Sequence, residues 1–443
     1  MSTRPQAEPP GIAPYPWILA TLVFSAVALG VLMWFTSGDV PRADEWDTPG
    51  AFLLARAHGT ATFANLFRQH NESRVIFAQL LAAFISDHWG WNQHIFHALN
   101  WAITVLTAFL FARLVANTFP NNQRLSRPAV LVLCSAAALA FTPVQWRNLL
   151  SSGQIVTITI PLLLIAGITV NLKQDLPAWL RYLCAGALSL VASYSFVNGL
   201  MLWFLLWPAP LVMLKSGTLR LRRIEILSTI TYGVVAFAVI ASYFVGYHRP
   251  PSHPALSSGL VAPHRTLFFA STWLAGPLFP EPLQPWEHGP LVSFYVCGVL
   301  AALTGLLFAL YLRRNWRTLL SLEALRQAFP FGVLLAYSLA SASSIAIARV
   351  GLGMFGNLSR YSTVAMPAYL GLAGIVAIAS ACKRPPASKA LLAVLSGTFA
   401  IAVVAGAYVG YWECLLDKQA SRQAKLSLSF QSICPDDPLF FNV

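Results

Sequence analysis

Charged residues are scarce in this sequence, and acidic residues are the rarer kind. Only 10% of the 443 residues are charged, and 16 of them are Asp or Glu, whereas about 25% of a typical soluble domain is charged. Hydrophobic residues account for 57% of the chain. This composition excludes an ordinary soluble domain and predicts an all-α polytopic membrane protein.

Paired cysteines and internal repeats are missing as well. The six cysteines are scattered without a CxxC pair, so the sequence contains no zinc or redox signature. A net charge of +13 would indicate nucleic acid binding in a soluble protein, but here the basic residues lie between apolar runs. That arrangement is typical of topology signals and of contacts with anionic headgroups. We therefore expect membrane lipids, and not nucleic acid, as partners.

About eleven apolar runs predict helices that cross a bilayer, for which roughly 20 residues are needed. We expect the first to be an uncleaved span within one transmembrane domain, residues 1–412, which an outer tail, residues 413–443, follows. The predicted spans lie at about 15–36, 92–115, 128–143, 155–172, 178–197, 199–214, 225–246, 290–312, 328–348, 361–381 and 389–411.

The positions of the basic residues agree with this number of spans. If the spans alternate in direction, the basic connections near Arg124, Arg222 and Arg313 share one side with the N-terminus, which the positive-inside rule identifies as the cytoplasm. A disulfide between Cys414 and Cys434 is then plausible in the outer tail. The outer face also collects the loops 37–90, 145–154, 247–289 and 348–360.

Acidic residues are concentrated in the stretch from 37 to 74. Residues 51–58 and 62–70 of this stretch are amphipathic and too short to span, so they predict helices at the membrane surface. The Pro- and His-rich loop 247–289 instead predicts an ordered but irregular, lid-like segment, because proline has no backbone donor. The stretch 37–74 holds five of the 16 acids, which are Asp39, Asp44, Glu45, Asp47 and Glu72.

Asp44 and Glu45 are neighbours just beyond the first predicted span, in the sequence RADEWD. A carboxylate pair near a bilayer surface suits general-base catalysis on a hydroxyl or amine acceptor. The alternative is a solvated loop end whose acids cap a helix. We take both residues as catalytic candidates, and Asp39 as a candidate for substrate binding.

The motif QHNESR places His70, Glu72 and Arg74 before an apolar segment. Arg74 is suited to hold a phosphate, and His70 to donate a hydrogen bond to one. The alternative is a helix cap with an intrahelical ion pair. The four histidines of the loop 247–289 fit no zinc spacing, so we expect no tightly bound metal here.

Three arginines on the predicted outer face oppose the usual charge bias. Arg147 lies in QWRN, upstream of Gln154, while Arg349 and Arg360 flank the last outer loop, and Tyr361 completes the motif SRY. Snorkelling to headgroups would explain them, but an arginine at membrane depth is a functional hypothesis by default. Carboxylates that deprotonate an acceptor and arginines that stabilise a departing phosphate together suit a reaction with a phosphate leaving group.

In this order, the motifs resemble the GT-C superfamily of integral-membrane glycosyltransferases. In that family a first span precedes a large outer loop, which opens with an acidic motif and carries surface helices. QHNESR, QWRN…GQ and SRY are similar to the stretches EHR, QWEN…Q and SRY of bacterial multi-spanning members. Two positions depart from these stretches, since Ser73 stands in place of a histidine and Arg147 in place of a glutamate.

The resemblance implies an enzyme of the bacterial inner membrane. Such an enzyme transfers a sugar from a polyprenyl-phosphate-linked donor to a lipid or glycan acceptor on the outer face. Asp44 or Glu45 would be the catalytic base, with Arg74, Arg349 and Arg360 facing the donor phosphate. No cofactor is implied, although some members need a divalent metal. The remaining candidates for substrate contact are Asp39, His70, Glu72, Arg147, Gln154 and Tyr361.

Two other classes of membrane protein stay open at this point. A lipid-linked glycan transporter or flippase would favour repeated halves and charges near span centres. The sequence shows no repeated halves and few such charges. A glycan polymerase or ligase would share the outer arginines but not the early acidic loop.

Overall fold

The described chain is almost entirely helical, with one short β-hairpin. The computed structural model describes residues 11–41, 44–120, 123–173, 175–216, 222–250, 253–255, 257–280, 291–353, 355–381 and 386–433. The hairpin pairs β1 (Gln69–His70) with β2 (Ser73–Arg74) in antiparallel register. The helices are α1 (Pro14–Thr36), α2 (Ala51–Ala57), α3 (Phe63–Phe67), α4 (Ile76–Trp89), α5 (Gln93–Thr118), α6 (Arg127–Leu139), α7 (Trp146–Leu149), α8 (Ile155–Leu172), α9 (Ala178–Ser193), α10 (Leu202–Leu205), α11 (Pro208–Ser216), α12 (Arg223–Tyr243), α13 (Ser257–Val261), α14 (Pro263–Ala275), α15 (Leu291–Leu319), α16 (Leu322–Arg349), α17 (Ser359–Ala381) and α18 (Pro386–Ile433).

Ten helical segments of the described chain are long and apolar enough to cross a membrane, and α9 is a shorter apolar helix. These segments lie at the positions of the predicted spans, so the expectation of an all-α polytopic membrane protein is confirmed. Large apolar side chains on the outside of the bundle are exposed, such as Phe24 and Trp34 on α1 and Phe237 on α12. In a bilayer such side chains face lipid and not water, as expected for spanning helices.

Helix α17 lies at the centre of the bundle, packed against α6, α8, α15 and α16. Its glycines let α16 approach closely. A Cβ at Gly371 would lie 2.5 Å from the carbonyl oxygen of Phe331, and one at Gly374 would lie 2.1 Å from the Phe331 ring. Small residues at helix crossings are typical of membrane bundles. Because α17 begins at Ser359, Arg360 and Tyr361 are held at the end of a helix that is largely buried.

Contacts between connecting segments distinguish the two ends of the bundle. Ile12 pairs with Leu125 through their backbones, and Arg314 Nε donates a hydrogen bond to Ser388 Oγ at 3.1 Å. The basic residues assign all of these segments to the cytoplasmic side. The loops assigned to the outer face meet elsewhere, around one cavity. Which end faces the cytoplasm stays a prediction.

Helices α2 and α3 lie where the amphipathic pattern predicts short helices, and their placement at a bilayer surface stays a prediction. The loop 247–289 is not irregular throughout, because α13 and α14 lie in it. Pro263 occupies the first turn of α14, where its missing N–H has no intrahelical partner to lose. The irregular reading of this loop is therefore wrong for its described helical part.

Two regions that were predicted as an outer loop and an outer tail contain helices. They are residues 74–91, before the second predicted span, and the residues after the last predicted span. Residues 74–91 contain α4, whose 14 residues are too few to span a bilayer. Helix α18 continues to Ile433, so the predicted tail begins inside this helix. Cys434 lies outside the described residues, and the predicted disulfide to Cys414 lies outside them with it.

Candidate functional site

A cavity of about 330 Å³ lies where the loop after α1 meets the connections α7–α8 and α16–α17. Residues that are far apart in sequence share its wall, and two of the eleven predicted site residues, Asp39 and Arg74, do not. The nine that line it are Asp44, Glu45, His70, Glu72, Arg147, Gln154, Arg349, Arg360 and Tyr361.

The carboxylates of Asp44 and Glu45 have different surroundings. Glu45 is buried, with 2% of its surface exposed. Its Oε1 accepts hydrogen bonds from Ser151 Oγ and from the Gly153 amide at 3.2 Å. A Cβ at Gly153 would lie only 3.3 Å from Glu45 Cγ. Asp44 is exposed where it lines the cavity, so Glu45 holds the neighbouring loop while Asp44 is accessible.

The buried side-chain amide of Asn100, on α5, holds the loop between α7 and α8. Its Nδ2 donates to the carbonyl oxygens of Asn148 at 3.0 Å, Leu149 at 3.2 Å and Ser151 at 2.8 Å. Such a side chain satisfies carbonyls that the end of α7 leaves without helical partners. The loop that carries Ser151 is therefore fixed both by α5 and by Glu45.

The motifs QWRN and SRY are joined by hydrogen bonds, and we call this set the interlock. Asn148 Nδ2 donates to the carbonyl of Arg360 at 2.9 Å and to Thr363 Oγ1 at 2.7 Å. Thr363 Oγ1 donates to Gln145 Oε1 at 2.7 Å, and the Arg147 amide donates to Ser359 Oγ at 3.3 Å. Gln145 and Asn148 are thus structural, and they place the two arginines at the cavity.

Arg349 reaches the cavity with its charge already balanced. Its Nε donates to Glu72 Oε1 at 3.0 Å, and its Nη2 contacts the same oxygen. Its Nη1 donates to the hydroxyl of Tyr361 at 2.6 Å. Both Glu72 and Arg349 are largely buried, which strengthens the attraction between their charges.

Arg360 has no such partner. Its side chain makes no hydrogen bond or ion pair with any residue that the structure describes, and its Nε is buried without an acceptor. Its guanidinium carbon lies over the ring of Tyr361, 5.4 Å from the ring centroid. Buried arginines usually have their donors satisfied, so this one is suited to receive an anionic ligand.

The expected phosphate contact of Arg74 is corrected by its placement. The guanidinium is buried beside the hairpin, where it donates to the carbonyls of Tyr243 at 2.7 Å, Phe67 at 2.5 Å and Val245. It also lies over the Phe67 ring at 4.2 Å. Each of its nitrogens donates to a backbone carbonyl, because the β1–β2 hairpin directs the side chain away from the cavity. Arg74 therefore stabilises the fold.

Asp39 is corrected for a similar reason. Its Oδ1 accepts a hydrogen bond from the Gln93 amide at 3.0 Å, so it satisfies a free donor at the start of α5. An acid in this role supports the helix, and Asp39 is not part of the cavity wall. The sequence offered a capping role for the acids of RADEWD, and the structure shows such a role at Asp39 instead.

His70 lines the cavity on a hairpin that two contacts hold in place. Asn71 at its turn has φ 49°, a left-handed conformation that Asn tolerates better than most residues. His70 Nδ1 lies 2.9 Å from Asp47 Oδ2. The side chain of Gln69 exchanges hydrogen bonds of 2.7 and 3.0 Å with the backbone of His248, which ties the hairpin to the long outer loop.

His253, from the long outer loop, faces the ion pair. Its Nε2 lies 3.9 Å from Glu72 Oε2. Burial lowers the pKa of His253, the charge of Glu72 opposes that effect, and the charges of Arg349 and Arg360 reinforce it. His253 is therefore mainly neutral near neutral pH.

Several residues of the cavity wall were not predicted from the sequence. Ser151, Ser152 and Gly153 follow QWRN after two leucines, and this short polar run before the apolar run of α8 was a usable signal. Gln79 lies within an apolar helix, and Asp417 lies on α18 beyond the predicted last span. Both were assigned to the outer face, Gln79 in the loop 37–90 and Asp417 in the tail, but nothing in the sequence alone indicates that they line a cavity with the arginines.

The described residues contain no group of three His, Cys, Asp or Glu side chains arranged to hold a metal ion, and the expectation of no tightly bound metal stays a prediction. No protein-family model, curated protein or solved structure matches the chain. A function can therefore be inferred from the geometry of the cavity and from the sequence motifs that line it.

Proposed function

We propose that the protein is a glycosyltransferase of the GT-C type in a bacterial inner membrane. It transfers a sugar from a polyprenyl-phosphate-linked donor to a lipid or glycan acceptor on the outer face. The observation that supports this proposal is the shared cavity, in which Asp44 and Glu45 lie with Arg349 and Arg360 although they come from opposite ends of the sequence.

Asp44 is the better candidate for the general base. It is exposed at the cavity, whereas Glu45 is buried and accepts two hydrogen bonds from the Ser151–Gly153 loop. In the reaction, a carboxylate oxygen of Asp44 takes the proton of the acceptor hydroxyl, and the acceptor oxygen forms a bond to the anomeric carbon. The bond from that carbon to the phosphate oxygen breaks, and its electron pair stays on the phosphate.

Arg360 is the first candidate to stabilise the departing phosphate. Its guanidinium has no acceptor among the described residues, while Arg349 is already bound to Glu72 and Tyr361. A charge-assisted hydrogen bond to phosphate would satisfy the buried Nε of Arg360. Arg349 and Tyr361 then form the side of the site against which the phosphate is held.

The experiment replaces each acid in cells that lack the chromosomal copy of the gene. We expect Asp44→Asn to lower the amount of modified glycolipid, measured by mass spectrometry, by about 100-fold or more, since positioned bases contribute about 10²–10⁴-fold. Glu45→Gln retains an acceptor oxygen for Ser151, so we expect a smaller decrease in the amount of modified glycolipid. Asp87→Asn is the matched control, because Asp87 pairs with Arg56 at the surface, away from the cavity.

An unchanged glycolipid pattern in cells that make normal amounts of the Asp44→Asn protein would contradict the enzyme. A transporter is separated from an enzyme by a second measurement in vesicles that contain the purified protein. If the protein moves a labelled polyprenyl-phosphate sugar across the bilayer, and Asp44→Asn moves it equally well, the protein is a flippase and not a transferase.

A further inference from the structure

Besides its charged residues, the cavity is lined by uncharged polar side chains. They come from the segment before α2, from the hairpin, from α4, from the loop between α7 and α8 and from the start of α8, and charge recognition does not explain them. Among them are Thr48, Asn71, Gln79, Ser151, Ser152 and Thr157.

Two of these side chains are buried with a polar atom that has no partner. Gln79 and Ser152 are 3% and 2% exposed, and neither Gln79 Oε1 nor Ser152 Oγ makes a hydrogen bond to a residue that the structure describes. Leaving such a group unsatisfied costs about 1–3 kcal/mol. Asn100 and Asn148 also have a buried Oδ1 with no partner among the described residues. They differ because their Nδ2 atoms donate to backbone carbonyls and neither side chain lines the cavity.

The backbones that carry these two side chains are fixed. Ser152 lies between Ser151 and Gly153, which both donate to Glu45. The backbone N–H of Gln79 donates to the Val75 carbonyl at 3.0 Å in the first turn of α4. Neither polar atom can therefore find a partner by a small shift of the main chain. A rotation of the side chain can bring it to a ligand in the cavity.

We propose that Gln79 and Ser152 bind hydroxyl groups of an uncharged sugar ring, an inference that rests on the proposed transferase function. An amide oxygen accepts a hydroxyl proton, and a serine hydroxyl donates or accepts. Neither side chain balances a carboxylate or an ammonium group, so this part of the wall fits a neutral sugar. Sites built to hydrogen-bond a hydroxyl discriminate strongly against ligands without one.

The sugar could be part of the donor or of the acceptor, and the chemistry of the wall is the same for both. Ser152 is adjacent in sequence to residues that bind Glu45, so a ring held there lies near the catalytic acids in either case. The two sources are separated by the choice of probe.

The test measures equilibrium binding to the full protein in lipid nanodiscs. The donor probes are a short prenyl phosphate, the same phosphate linked to a neutral hexose, and the same phosphate linked to a hexuronic acid. The acceptor probe is a methyl hexoside, titrated in the presence of prenyl phosphate. We expect the neutral hexose conjugate to bind more tightly than both the bare phosphate and the uronic acid conjugate.

The variants Gln79→Met and Ser152→Ala should each weaken one hexose probe by about three- to tenfold, the equivalent of one lost hydrogen bond. Their affinity for bare prenyl phosphate should not change. A loss confined to the conjugate assigns the wall to the donor, and a loss confined to the methyl hexoside assigns it to the acceptor. Unchanged affinity for both hexose probes, with prenyl phosphate still bound, would overturn the inference and leave the transferase proposal standing.

Failure of every probe to bind the unmodified protein would instead overturn the transferase proposal and this inference with it.

The thermal stability of two serine variants supplies an independent control. Ser152→Ala removes a hydroxyl that has no partner among the residues described here, so the temperature of thermal unfolding should be unchanged or slightly higher. Ser151→Ala removes a donor to buried Glu45 and should lower the unfolding temperature. A destabilised Ser152→Ala protein would show a structural role and contradict the inference.

Discussion

The β1–β2 hairpin and the start of α17 each contribute an arginine near the cavity. The N–H donors of these two arginines are used in opposite ways. Arg74 of the hairpin donates to three backbone carbonyls. Arg360 of α17 finds no acceptor among the described residues. The same side chain therefore stabilises the fold in one region and is available for a ligand in the other.

This difference follows from what surrounds each arginine and not from its depth alone. The hairpin lies against the ends of α3 and α12, where carbonyls lack helical partners, and Arg74 satisfies them. The start of α17 is held by the interlock, in which the backbone carbonyl of Arg360 accepts a hydrogen bond. The guanidinium of Arg360 stays at the cavity. Four predictions test this contrast, in order of decreasing effect on stability.

The largest effect is expected for Arg74→Met. The substitution removes the charge-assisted donors of three backbone carbonyls, one buried and two partly buried, so we expect a loss of about 3 kcal/mol or more in the free energy of unfolding. Thermal unfolding in detergent measures it. Arg68→Met is the matched control, since Arg68 is exposed and only 3.7 Å from Asp47, and pairs of this kind contribute about 0–1 kcal/mol. Equal unfolding temperatures for the two variants would show that the hairpin is not held by Arg74.

A smaller loss is expected for Asn148→Ala, which breaks the interlock. The carbonyl of Arg360 and the hydroxyl of Thr363 lose their donor, at a cost of about 2 kcal/mol. Asn65→Ala removes the side chain that accepts from the backbone of the N-cap residue Thr62 in the capping box of α3, and should cost about 1 kcal/mol or less. Because the interlock positions Arg360, Asn148→Ala should also weaken prenyl phosphate binding, whereas Asn65→Ala should not. Full binding by a destabilised Asn148→Ala protein would separate the interlock from the site.

The sequence was sufficient for the positions of the apolar helices, because each span is a local run of about 20 residues. About eleven spans were predicted, and ten helical segments of the described chain are long and apolar enough to cross a membrane. It was also sufficient to gather Glu45, Arg349 and Arg360 on one side, since alternation of spans follows from charge bias. Helix α9, with 16 residues, falls below the usual length and still lies at its predicted position.

The sequence was not sufficient to separate Arg74 from Arg360. Both are basic residues in short polar motifs near a span, and their roles depend on which carbonyls or carboxylates lie nearby in the fold. Gln79 and Asp417 were missed because their neighbours in sequence are helical and give no sign of a cavity. Such roles arise from long-range contacts, which a single sequence does not specify.

The pH dependence of stability tests the loop side of the cavity. Burial lowers the pKa of His253 below its ordinary value of 6.5, against the opposing charge of Glu72. Between the two pKa values the unfolded chain binds more protons, so stability should fall as the pH falls through that window. His253→Gln should reduce the difference in unfolding temperature between about pH 7.5 and about pH 5. The exposed His58→Gln should not, and an identical difference in both variants would contradict the assignment.

The smallest change in stability, together with a large loss of binding, is expected for Arg360→Met. The substitution removes a partly buried charge that has no acceptor in the described chain, so the free energy of unfolding should change by less than about 0.5 kcal/mol or rise. Binding of prenyl phosphate in nanodiscs should weaken by about tenfold or more, because a hydrogen bond to a charged group contributes about 1.5–3 kcal/mol. A variant that unfolds as easily as Arg74→Met would show that Arg360 also stabilises the fold. A stable variant that binds prenyl phosphate normally would remove the phosphate from this end of α17.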